Sequence, residues 1–109
     1  MTDFVDEEDL KLADLSWRDL STLDLTGLDF GGKNLTRANL TGADLTAASL
    51  IGAHLYKANL SDANLYRADL SRANLTGANL TGANLTGAKL NGATCPNGLP
   101  YGSGGNCSA

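Results

Sequence analysis

Few residues of this sequence suit covalent, metal-binding or acid–base chemistry: two cysteines, Cys95 and Cys107, and a single histidine, His54. The cysteines stand twelve residues apart and bracket the turn-rich run Pro96-Asn97-Gly98-Leu99-Pro100-Tyr101-Gly102. That spacing reads as a loop closed by a disulfide, which would contribute about 3 kcal/mol by restricting the unfolded chain; two independent thiols are the alternative reading. The sequence spells out no nucleophile–base pair, glycine-rich phosphate loop or metal-ligand cluster. It therefore predicts no catalytic, cofactor-binding or metal-binding residues and no cofactor. What remains is recognition chemistry. Trp17, Arg37, Tyr56, Lys57, Tyr66 and Arg67 set cations beside aromatic rings, as cation–π contacts and base-stacking platforms do, and form the candidate interaction surface.

The elements that would position these side chains follow from one periodicity. From Leu10 to Leu90 every fifth residue is Leu, with Phe30 the one exception, and from Ala38 to Ala93 the residue two places before each such slot is Ala. A helix cannot use this pattern, because about 100° per residue sends successive fifth residues about 140° apart around the axis. A straight strand cannot use it either, since a period of two puts residues five apart on opposite faces. A short extended piece with Ala and Leu inward and Asn or Asp outward, followed by a two-residue corner, satisfies both constraints. Four such sides close a square, so residue n stacks on residue n+20 at strand spacing, about 4.8 Å. Leu and Ala then fill a shaft, while Thr-Gly and Ser-Arg pairs make corners where glycine tolerates positive φ.

On this lattice Trp17, Arg37, Lys57 and Gly77 form one column, with Ser16, Thr36, Tyr56 and Thr76 beside it; Tyr66 and Arg67 fall on the opposite side. Arg37 and Lys57 are too few to neutralise many phosphates, so nucleic acid is disfavoured, and a Trp17–Arg37 stack is the simpler expectation. His54 takes an outward slot between Asn34 and Asn74, without partners for metal binding or catalysis. The net charge of -4 divides unevenly: residues 1–29 carry nine acids against Lys11 and Arg18, a net -7, whereas residues 30–109 carry a net +3.

The run Ala38-Asn39-Leu40-Thr41-Gly42 through Ala88-Lys89-Leu90-Asn91-Gly92 resembles the pentapeptide repeat family, including its cyanobacterial members. The resemblance implies an all-β fold, a right-handed quadrilateral β-helix (solenoid), here of about four coils. The expected organisation is a single domain, 1–109, with a capping helix over 2–9, the repeat body over 10–94 and a Gly/Pro-rich C-terminal loop over 95–109. Arg18 and Lys33 occupy slots that hold Ala later in the chain, and a charge in a dry shaft is costly. The first coil is therefore expected to be the least square, with either a distorted backbone or side chains that reach out to water.

These features predict no enzyme but a structural or interaction module, a rigid scaffold for an unknown protein partner. The alternative that the resemblance implies is a DNA-mimic modulator of DNA gyrase, which needs a long acidic rod. A small-molecule substrate, a membrane and nucleic acid are not expected as partners, and the state expected is a monomer or weak dimer. A native start at Met1 implies the cytoplasm. A removed signal peptide implies the periplasm or thylakoid lumen, where a disulfide persists and where the resemblance places similar Cys-bounded, Gly-rich tails.

Overall fold

A computed structural model of the chain describes residues 6–108. Its backbone is one motif repeated. Parallel bridges join residues twenty apart, from Asp14–Asn34 through Asn39–Asn59 and Asn64–Asn84 to Asn74–Thr94. The hydrogen bonds have one grammar throughout. From Leu15 to Leu75 each central residue donates its N–H to the carbonyl nineteen residues on, as Leu20 does to Asn39 and Leu60 to Asn79, both at 2.7 Å. The outward residue donates in the other direction, as Asn59 does to Ala38 at 3.0 Å. Nearly every buried backbone group thus finds a partner in the coil above or below, which is what lets such short extended pieces persist.

Corners are tight turns in which the N–H three residues after Leu returns to its carbonyl, as Ala58 does to Leu55 at 3.0 Å. The second corner residue has positive φ at every repeat, from Trp17 (64°) to Gly92 (74°). Positive φ at that position alone defines a type II turn, the form that favours glycine. Only half of the chain's corners use glycine; Trp17, Thr22, Arg37, Ala47, Lys57, Asp62, Arg67 and Arg72 hold the same conformation with a side chain.

Inside, Leu15 through Leu75 and Phe30 are 0–1% exposed, with Ala38 through Ala73 packed between them at the same level. Every fully buried position is apolar, so the shaft is dry and filled. Its cross-section, 22 × 21 Å, has the equal sides a square coil requires.

The N-terminal end meets only part of its expectation, whereas the C-terminal end carries the disulfide expected of it. The helix expected over 2–9 falls partly outside the described residues; within them Glu7 and Glu8 form a turn, and a single 3-10 turn spans Asp9–Lys11. Leu10 packs against the core at this point. The distortion expected of the first coil is also missing, because Leu15 and Leu20 make the same 2.7 Å bonds as later repeats. Its cations reach outward instead. Lys33 Nζ donates to the carbonyls of Leu10 (3.1 Å) and Leu12 (2.9 Å), and Arg18 approaches Asp9 at 3.5 Å. At the other end Cys95 fills a central-Leu slot at 0% exposure and is joined to Cys107, with Cα atoms 4.9 Å apart.

Candidate functional site

With the shaft packed solid, side chains that can meet another molecule lie on the walls and corners. The wall residue in each outward slot is mostly Asn or Asp because its carboxamide or carboxylate caps the next corner. Asn39 Oδ1 accepts from the N–H of Thr41 (3.1 Å) and from its hydroxyl (2.6 Å), and Asp44 does the same with Thr46. This is the Asx turn, and it leads the backbone into the type II corner. The Ser16, Ser21, Thr46 and Ser71 hydroxyls, followed by their backbone N–H groups, hold the carboxyls of Asp14, Asp19, Asp44 and Asp69 below the ordinary carboxylate range. The slot's chemistry is thus structural first; Asn39 and Asn84 also donate Nδ2 to Asp19 and Asn64 in the adjacent coil, both at 3.4 Å, whereas Asn34 and Asn74 cap with Oδ1 and keep a free Nδ2 donor.

The corners carry the recognition residues. Arg37 lies over the Trp17 ring at 5.0 Å, so the stacked pair expected from the column is present, and Trp17 stays 70% exposed. Lys57 sits 5.4 Å from the Tyr56 ring, and on the opposite wall Arg67 sits 5.6 Å from that of Tyr66. The six candidate residues therefore form three cation–π pairs on two opposed walls and do not make one surface.

Two features escaped sequence reasoning. Above the charged corner residues Lys57, Asp62, Arg67 and Arg72 the next coil always places a glycine, Gly77, Gly82, Gly87 and Gly92. A Cβ at Gly77 would stand 2.9 Å from Lys57 Cγ, and one at Gly87 or Gly92 would stand 3.1 Å from the Cγ of the arginine beneath it. The glycines are the space in which these long stems lie; the signal was in the sequence as a pairing twenty residues apart. The second is Arg72, which the fold puts at the corner opening the wall that contains His54 and Tyr56.

His54 itself is exposed, with Asp14 and Asn34 around a shallow hollow. Among the described residues no group of three His, Cys, Asp or Glu side chains could hold a metal ion, and no helix is long and apolar enough to cross a membrane.

The lattice that sets these side chains in columns has relatives. The model of the family described as pentapeptide repeats matches residues 19–56 and 58–94, in 8 copies. The chain belongs to the pentapeptide repeat family. Its fold is similar to that of Rfr23, a pentapeptide repeat protein of the cyanobacterium Cyanothece 51142, at 45% identity and a TM-score of 0.73 over 73% of this chain and 54% of that one. A pentapeptide repeat protein of Nostoc PCC 7120 matches at 42% identity and a TM-score of 0.69, over 70% of this chain and 63% of that one. One from the Arabidopsis thaliana thylakoid lumen matches at 37% identity and a TM-score of 0.55, over 78% and 63%. The chain thus spans between 54% and 63% of the length of these solved structures. No curated protein matches the sequence. These pentapeptide repeat neighbours imply the right-handed β-helix.

Proposed function

We propose that this pentapeptide repeat protein is a non-enzymatic scaffold whose flat, rigid walls contact another protein. The observation that carries the reading is the division of side chains. Leu and Ala are consumed in a filled shaft, and a filled shaft offers no cleft in which catalytic groups could be desolvated and tuned. The polar and aromatic residues stand on regular walls. In this reading the chain is one unit of about four coils over residues 10–94, closed by residues 2–9 at one end and by the disulfide loop of residues 95–109 at the other. Trp17, Arg37, Tyr56 and Lys57 on one wall, with Tyr66 and Arg67 on the other, are its contact residues. It works as a monomer or weak dimer.

Immobilised protein is expected to recover a specific protein from a cyanobacterial extract while showing no turnover of ester, phosphoester or peptide substrates; measurable turnover with no recovered partner would overturn the reading. The alternative, modulation of DNA gyrase by mimicry of duplex DNA, asks for continuous negative charge along the rod. Residues 30–109 carry net +3 instead. Gyrase supercoiling is accordingly expected to be unchanged by micromolar protein.

A further inference from the structure

The wall bounded by the Arg72 corner on one side and the Trp17–Arg37–Lys57 corner on the other differs from its opposite in kind. Its charged and amide groups offer mostly donors, set among hydroxyls that can do either. Asn34 and Asn74 each spend Oδ1 on the N–H of Thr36 (3.0 Å) and Thr76 (3.1 Å), which leaves Nδ2 turned to solvent. Among the described residues those Nδ2 groups have no acceptor and Arg37 and Lys57 form no ion pair, while Arg72 lies near enough to Asp69 on the neighbouring wall to help hold that carboxyl below its ordinary value. Arginine, lysine and the indole N–H donate and cannot accept. The one carboxylate on this wall, Asp14, is at its N-terminal edge and is engaged by Ser16. The opposite wall holds Asp24 and Asp44, with Asp62 at its leading corner.

The cations are also held where they are at some cost. Arg37, Lys57 and Arg72 keep φ of 58°, 55° and 60°, positions at which glycine is cheapest. Arg37 is braced on Trp17, and Lys57 and Arg72 lie in the space left by Gly77 and Gly92. Braced side chains lose less freedom on binding.

We infer that this wall docks an extended acidic segment of a partner protein, whose carboxylates meet Arg37, Lys57 and Arg72 and whose main-chain carbonyls accept from Asn34 and Asn74. Charge complementarity selects the occupant: a surface of unpaired donors binds a chain of acceptors. Three cations suit a few carboxylates and not a polyphosphate backbone. The inference rests on the scaffold reading and names the partner chemistry for one of its walls.

Trp17 is the sole tryptophan, so its fluorescence reports on this wall alone. Titration of the whole chain with a short peptide of alternating Asp and Glu is expected to change that emission saturably, whereas the Asn/Gln counterpart leaves it unchanged. Raising salt from about 0.05 to about 0.5 M should weaken binding severalfold. Arg37→Glu with Lys57→Glu should weaken it about tenfold or more, while Arg67→Glu on the far wall should stay within about twofold. Circular dichroism checks that each variant folds, and the salt series on unaltered protein decides if one does not. Equal binding of the neutral peptide, equal loss in Arg67→Glu, or preferential binding of oligothymidylate overturns the assignment. So does self-association through the chain's own Asp6–Asp9, seen as concentration-dependent sedimentation that the double variant abolishes. Such a failure leaves the scaffold reading standing if the extract still yields a partner, and removes both if it does not.

Discussion

At the N-terminal end of the rod, two long cations leave slots that alanine fills elsewhere and tie down the segment before the first coil: Lys33 on the Leu10 and Leu12 carbonyls, Arg18 on Asp9. At the C-terminal end a covalent bond performs the same task, with Cys95 in the shaft and Cys107 drawn across it. The covalent closure is strong but incomplete. Among the described residues the N–H groups of Leu80, Gly82, Leu85 and Gly87 have no acceptor, because no further coil stands above them. The lattice thus ends on side-chain bonds to carbonyls and a carboxylate on one side and on a covalently closed loop on the other, and the two differ in how each responds to conditions.

Reduction, or Cys95→Ala with Cys107→Ala, should have the largest effect, a loss of about 3 kcal/mol in denaturant unfolding. Amide exchange should then rise first in the last coil, around Leu80 and Leu85, and leave Leu20 unchanged; uniform loosening would mean that the ends do not act separately. Gly105→Ala probes the same loop without touching the bond. A Cβ there would collide with the Leu99 and Pro100 backbone, so the loop must shift, and destabilisation of about 1–3 kcal/mol is expected.

At the opposite end Lys33→Ala should cost less than about 3 kcal/mol for its two bonds together, because water screens a half-exposed ammonium. Exchange near Leu15 should report the loss while the disulfide end stays protected. Corner strain is smaller still. Thr22→Gly relieves a β-branched residue at φ 60° and should raise stability by up to about 1 kcal/mol, whereas Gly52→Ala, at φ 67° in open space, should lower it by about the same amount.

The smallest effect separates the ends by pH. The carboxyls of Asp14 and Asp19 in the first coil lie below their ordinary value because Ser16 and Ser21 donate to them. Their contribution is therefore complete above the unfolded value of about 3.9 and is lost as pH falls through the lower folded values. Thermal unfolding should fall more steeply below pH about 4 in the parent chain than in Asp14→Asn with Asp19→Asn, because asparagine supplies the same Oδ1 acceptor without titrating.

Much of this architecture was legible in the sequence, because a period of five admits few backbones. Leu at every fifth residue, Ala two places before it and the n+20 columns appear as the pattern implied, as do the Cys95–Cys107 bond and the Trp17–Arg37 stack. Less legible was whatever depends on where a long side chain goes after its Cβ. Lys33 could have bent the coil or left it, and only the nearby Leu10 and Leu12 carbonyls show why leaving wins. The helix expected over 2–9 rested on local capping signals and lies partly outside the described residues; the described part shows a turn at Glu7 and Glu8 and a 3-10 turn over Asp9–Lys11. Of the cation–π contacts, the Trp17–Arg37 stack and the opposite placement of Tyr66 and Arg67 follow from the columns, whereas the Lys57–Tyr56 and Arg67–Tyr66 contacts depend on where the long side chains turn.

By itself, the sequence determined the lattice: its period, its filling and its columns, because five-residue spacing leaves a square coil as the arrangement that buries every leucine. The tertiary structure decided what the walls present. Which cation is braced on a ring or in a glycine gap depends on contacts between residues twenty apart, and the carbonyls that hold Lys33 lie more than twenty residues away. No local propensity encodes them, because they exist only once the coils have stacked.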